Sequence, residues 1–161
     1  MLSFHDLYDS YAMEIYRFSL WLSGESCVAE DITSETIIRA WMRISSIRTE
    51  TLKAYLFTIA RNIYIEQQRK KKYQVPLTDV YPDPGPEPDA MVESQLEIQR
   101  IQRFLQTVSE IDRTAFVLRV QHELPCAEIA RVLGLSLTAT KVKIHRVRKK
   151  LLAAFMEQEV E

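Results

Sequence analysis

The sequence predicts an all-α protein of two small helical domains, a three-helix unit and a four-helix unit that contains a helix-turn-helix, joined by a proline-rich linker. Three observations predict it. Apolar residues recur at three- and four-residue spacing through nearly the whole chain, which is the period of an amphipathic helix. Only three glycines interrupt 161 residues, and no run of alternating β-branched residues marks a strand. Five of the six prolines fall between residues 76 and 88 and split the helical pattern in two. The expected domains are therefore residues 1–73 and 91–161, with 74–90 between them.

The first helix is marked by Phe4, Leu7, Tyr8, Tyr11, Ile15, Phe18 and Leu22, a core stripe that ends near Gly24. A second helix begins around Cys27 or Val28 and buries Ile37, Trp41 and Ile44. Its first half carries Glu30, Asp31 and Glu35, which read either as ordinary N-terminal helix charge or as a partner surface. After the polar stretch Ser45–Thr51, a third helix spans Leu52 to Lys72 with an inner stripe of Leu52, Tyr55, Leu56, Ile59 and Ile63. It closes on Arg69, Lys70, Lys71 and Lys72, with Tyr64 and Tyr73 interleaved. Cations beside aromatics suit a single strand of nucleic acid, and cations at a helix C-terminus equally suit the helix dipole.

Residues 74–89 have no periodic apolar face, and their prolines favour an extended chain that reaches on the order of 50 Å and lets the halves swing. Periodicity resumes with Ile98, Ile101, Leu105 and Val108, then with Ile111, Ala115 and Leu118. Two short helices follow. Pro125 opens the first, whose face is Cys126, Ile129, Ala130 and Leu133, and Gly134 stops it. Ser136 caps the second, which buries Thr140, Ile144, Val147 and Leu151 and turns Ala139, Val142, Lys143, Arg146, Lys149 and Lys150 outward. From Thr138 to Lys150 this helix has no acid, while Lys141, Lys143, Arg146, Arg148, Lys149 and Lys150 line a rod narrow enough for a DNA major groove. The pattern is that of a DNA-binding helix-turn-helix, set against the plainer reading of a solvated basic face.

The net charge of −1 conceals an asymmetry, because the middle of the chain is acidic and the end of each unit basic. No apolar run reaches the roughly 20 residues of a bilayer span, and the early acids Asp6 and Asp9 do not suit a signal peptide, so a cytoplasmic protein is expected. Cys27 and Cys126 read as small buried or half-buried hydrophobes that neither pair nor bind metal. No glycine-rich phosphate loop, metal cluster or catalytic carboxylate pair is present, so neither an enzyme nor a cofactor is expected.

Three motifs in order, AEDITSETIIRAW at Ala29–Trp41, LKAYLFTIARN at Leu52–Asn62 with Glu66 and Arg69 after it, and EIDRTAFVLR followed by the helix-turn-helix, resemble the extracytoplasmic-function (ECF) sigma factors of bacterial RNA polymerase. The resemblance covers nearly the whole chain. It implies a sigma region 2 domain in the first half, which binds core polymerase and recognises and melts the minus-ten element, and a sigma region 4 domain in the second, which reads the minus-thirty-five element. By that resemblance Asp31, Glu35 and Arg39 face the clamp helices of the polymerase. Ser45, Ser46, Ile47, Arg48 and Thr49 belong to a loop that captures a flipped base, and Arg61, Asn62, Arg69 and Lys70 hold the melted strand. On the second half, Ser136, Thr138, Ala139, Lys141, Val142, Lys143, His145, Arg146 and Lys149 fall at the minus-thirty-five contact positions. Ser34 stands where a glutamine is usual, Glu66 where an aspartate is, and Leu137 to Ala139 with Val142 replace a smaller, more polar pattern. The implied partners are core polymerase, through its clamp helices and flap tip, promoter DNA and an anti-sigma factor, with no small-molecule substrate. The alternative is a stand-alone helix-turn-helix regulator, which needs a symmetric dimer and finds no spare helix to make one.

Overall fold

The computed structural model describes residues 2–48, 52–73 and 93–159, with side chains to Met156. Seven α-helices account for most of these residues: α1 (Phe4–Ser23), α2 (Ser26–Met42), α3 (Leu52–Tyr73), α4 (Glu93–Thr107), α5 (Glu110–Val120), α6 (Cys126–Leu133) and α7 (Leu137–Glu159). There is no strand among the described residues. The proline-rich linker and Thr49 lie outside them.

Local chemistry sets the helix ends. The Ser3 hydroxyl accepts from the Asp6 N–H at 3.1 Å while the Asp6 carboxylate accepts from the Ser3 N–H at 3.0 Å, a reciprocal cap that satisfies two otherwise unpaired donors of α1. At the other end Gly24 adopts φ 75°, a left-handed conformation that costs a glycine little, and its N–H closes on the Leu20 carbonyl at 2.7 Å.

The buried faces are narrower and less greasy than the apolar spacing suggests. On α1, Leu7, Ile15, Phe18 and Leu22 are buried, whereas Phe4 and Tyr8 are exposed, and Phe4 rests edge-on against Trp41 at 5.8 Å. Trp41, expected in the core, is likewise exposed. The face that α2 buries is Ala29, Ile32, Thr33, Thr36, Ile37 and Ala40. Small residues let α1 approach closely, and the Thr33 hydroxyl meets its own hydrogen-bonding need by donating to the Ala29 carbonyl at 2.7 Å. On α3 the stripe turns by one position, so Phe57, Ala60 and Tyr64 join Leu52, Leu56 and Ile63, and Tyr55 and Ile59 are only half-buried. Cys27 also departs from expectation, since the first turn of α2 leaves it exposed; Cys126 is half-buried. On α4 Ile98 is exposed and Leu105 carries the packing.

Few apolar ties between the halves are expected from the linker, yet the helix faces supply them. One continuous core joins Phe18, Phe57 and Ile63 of the first half to Leu105, Leu118 and Ile129 of the second. α5 touches α1, α4, α6 and α7, and every residue from Asp112 to Leu118 is buried. Truncating Phe57, 1% exposed, would remove packing on both sides of the seam and cost about 3–5 kcal/mol.

Polar side chains also cross this seam. The Gln106 side-chain amide on α4 donates to the Trp21 and Leu22 carbonyls at 3.4 Å each, covering the open C-terminus of α1. Arg113 is 5% exposed and donates to the Leu105 carbonyl, the Val108 carbonyl and the Tyr64 hydroxyl at 3.1, 3.4 and 3.1 Å, which makes its burial tolerable. His122, in the turn before α6, packs against the touching rings of Phe18 and Phe57, with centroids 6.0 and 4.8 Å away. The next residue, Glu123, has φ 55°, and this left-handed step helps direct the chain back toward α6.

Candidate nucleic-acid interface

The helix-turn-helix forms from the residues expected to form it. Gly134 stops α6 with φ 66°, and the Leu135 N–H reaches back to the Ala130 carbonyl at 3.0 Å. The Ser136 hydroxyl accepts from the Ala139 N–H at 3.1 Å, and the Thr140 hydroxyl donates to the Ser136 carbonyl at 2.9 Å. Thr140, Ile144 and Val147 are buried and Leu151 half-buried, which fixes the rotation of α7 on the domain.

With that rotation set, Ser136, Thr138, Lys141, Val142, His145, Arg146, Arg148, Lys149 and Lys150 are exposed and Ala139 is half-buried. Six cations and no acid lie between Thr138 and Lys150. Lys143 is the charged exception to the expected outward face. Its side chain is 22% exposed and its ammonium donates to an Asp112 carboxylate oxygen on α5 at 3.1 Å, because position 143 lies closer to the buried stripe than to the outer face.

The cationic end of α3 divides in the same way. Asn62, Arg69, Lys70, Lys71, Lys72 and Tyr73 are exposed. Tyr64 is not available for stacking, being 6% exposed and bound by Arg113. Burial raises its hydroxyl pKa, an effect the nearby Arg113 charge partly opposes. Arg61 is also engaged: its Nε and Nη2 donate to the two Glu110 oxygens at 2.7 and 3.1 Å, and Glu110 accepts from the Thr114 hydroxyl at 2.9 Å as well. Between α2 and α3, Ile44–Ser46 form a short 3-10 turn that leaves Ser45, Ser46 and Arg48 exposed and tucks Ile47 against the core. Beside it an open recess of about 380 Å³ is lined by Arg39, Met42, Arg43, Tyr55, Ile59, Asn62 and Glu66.

The outer face of α2 presents Glu30, Asp31 and Ser34 to solvent. Glu35 is half-buried and pairs with Arg39, which also lies 3.6 Å from Glu66. Sequence reasoning missed the apolar part of this surface. Ile38 and Met42 are 53% and 79% exposed, four residues apart on the face that carries Asp31 and Glu35. Their spacing of three and seven residues from Glu35, which puts them on its helix face, was the available signal. No helix among the described residues is long and apolar enough to cross a membrane.

Two family models and several known proteins match the chain. Residues 7–73 match the model for Sigma-70 region 2, and residues 98–151 match that for Sigma-70, region 4. The ECF RNA polymerase sigma factor SigM of Bacillus subtilis is 26% identical over 159 residues, covering 96% of each chain. The ECF RNA polymerase sigma factor SigL of Mycobacterium tuberculosis is 30% identical over 143 residues, covering 86% of this chain and 81% of the relative. The fold is similar to that of the sigma factor RpoE from Bartonella quintana, solved in complex with the anti-sigma factor NepR. The TM-score is 0.72 at 23% identity, over 92% of this chain and 94% of that one.

Proposed function

Because the chain belongs to the ECF sigma factors of the sigma-70 family, we propose that it binds core RNA polymerase, directs it to promoters and opens them. The observation that carries this reading is the exposed, acid-free face of α7, rotated outward by a buried stripe and a capped turn.

Three surfaces divide the work. Asp31, Glu35 and Arg39, with Ile38 and Met42 beside them, dock on the polymerase clamp helices, apolar contact supplying affinity and the acids orientation. Asn62, Arg69 and Lys70 hold the opened minus-ten strand once Arg61 leaves Glu110 to join them, and the exposed turn at Ser45–Arg48, with Thr49 after it, takes a flipped base beside the α2–α3 recess. Thr138, Lys141, Val142 and His145 face minus-thirty-five base edges, with Ser136 and Ala139 at the helix start; Arg146 and Lys149 meet phosphates where the rod leaves the groove. Opening a duplex costs about 1.4 kcal/mol per step in lost stacking, so contacts made only to the opened strand must offset it.

The polymerase supplies the metal and the nucleotide chemistry, and this chain contributes binding and strand separation in the cytoplasm, where that polymerase works. The flap tip is the second docking point, on the region 4 half, and an anti-sigma factor is the expected regulator. Adding the protein to core polymerase and sequencing the transcript starts it creates tests the reading. New starts sharing two promoter elements are expected; a start profile identical to that of core polymerase alone would overturn it.

A further inference from the structure

Among the six cations of α7 from Lys141 to Lys150, Lys143 is the one withdrawn from solvent. Its ammonium meets Asp112 at 3.1 Å, and the two side chains are 22% and 10% exposed. The acid is set rigidly. Its backbone N–H donates to the Ser109 hydroxyl at 3.3 Å in the first turn of α5, and the adjoining Arg113 anchors that helix to the Leu105 and Val108 carbonyls. A carboxylate so placed, within a lysine's reach of the proposed groove-facing surface, repels phosphates and resists burial unless a cation stays beside it.

We propose that Lys143 acts as the counter-ion of Asp112 and not as a base reader, and that Asp112 and Lys143 together are positioning residues that hold α7 at its reading angle on α5. The pair spans 31 residues of sequence and joins the two helices directly. Base reading then falls to the exposed Thr138, Lys141, Val142 and His145. This inference rests on the reading of α7 as the minus-thirty-five helix, and the test separates the two.

Holoenzyme reconstituted from the full chain and core polymerase is assayed on a randomised minus-thirty-five library at several salt concentrations. Lys143→Met strands the carboxylate, and promoter use should fall roughly tenfold or more with altered base preference. The double variant Asp112→Asn/Lys143→Met removes both charges and should recover promoter use to within roughly threefold, with the parental preference and an unchanged salt slope, since no phosphate contact is lost. Lys143→Arg keeps the pair and should keep the preference. A double variant as defective as Lys143→Met, or a Lys143→Arg variant that shifts preference toward guanine, as a bidentate reader would, overturns the proposal. If Lys143→Met proves unfolded by thermal melting, Lys143→Arg and the double variant still decide. A Val142 variant and a His145 variant run in parallel: altered preference there with no rescue at 112 and 143 sinks this inference alone, while no change at either position sinks the reading of α7 itself.

Discussion

Arg61 on α3 and Glu110 at the start of α5 lie 49 residues apart in sequence and form a two-point ion pair at 2.7 and 3.1 Å across the seam between the halves. With side chains 14% and 26% exposed the pair is shielded from water, so it is worth more than a surface bridge, about 1–3 kcal/mol. It also occupies a guanidinium that the family resemblance places on promoter DNA. Arg61 cannot give the same fork to a phosphate and to Glu110 at once. Glu110→Gln should therefore increase the radius of gyration of the free protein and strengthen its binding to a single-stranded minus-ten oligonucleotide. Unchanged values of both would show that the pair restrains nothing.

His122 should make stability fall on mild acidification. Burial against Phe18 and Phe57 holds its pKa down from 6.5 to about 4, with Lys53 and Arg17 adding to the fall and Glu14 opposing it. The unfolded chain takes up the proton near pH 6.5 and the folded chain only near 4, so stability present above pH 6.5 is lost progressively down to about pH 4. The loss amounts to roughly 3 kcal/mol. The ring Nε2 has no hydrogen-bond partner among the described residues, so His122→Phe should fold well and lack this component. Urea titrations at about pH 7 and about pH 4.5 that show the same loss in both proteins would assign the acid sensitivity elsewhere.

Charge reversal on α2 should weaken assembly with core polymerase and leave the fold intact. Asp31 is exposed, so Asp31→Arg reads the partner surface alone, and its effect should shrink in high salt. Glu35→Arg also sets two cations together by displacing the pair with Arg39, so a small loss of stability should accompany its loss of affinity. Pull-down of core polymerase at parental strength by both variants would move the docking surface off this helix.

On α7, position along the rod decides the role of each side chain. Lys149→Ala should weaken promoter use at every sequence and lower the salt slope by about one. Val142 is 48% exposed and can meet a thymine methyl, so Val142→Ser should alter preference at one base pair by about 1 kcal/mol or less. A library in which Lys149→Ala changes preference and Val142→Ser does not would mean that the helix docks in the opposite sense.

The all-helical class, the stop at Gly24, the turn at Gly134 and Ser136, and the buried stripe of α7 were all legible in the residues alone, because caps and helical periodicity act over one or two turns. The polymerase and promoter surfaces proposed above rest on the family resemblance. The rotation of α2 and α3 was not legible. Ala29, Thr33, Thr36 and Ala60 are core by virtue of close helix approach, which no hydrophobic pattern marks, while Phe4, Tyr8 and Trp41 match that pattern and remain at the surface. The state of the key charges emerged with the folded chain. Arg61 with Glu110, Tyr64 with Arg113, and Lys143 with Asp112 are partners 49, 49 and 31 residues apart. Arg61, Tyr64 and Lys143 each read in sequence as free to meet nucleic acid. The physical reason is that an ion pair or a shared hydrogen bond depends on where two separate helices bring their side chains, and that placement is set by packing of the whole core.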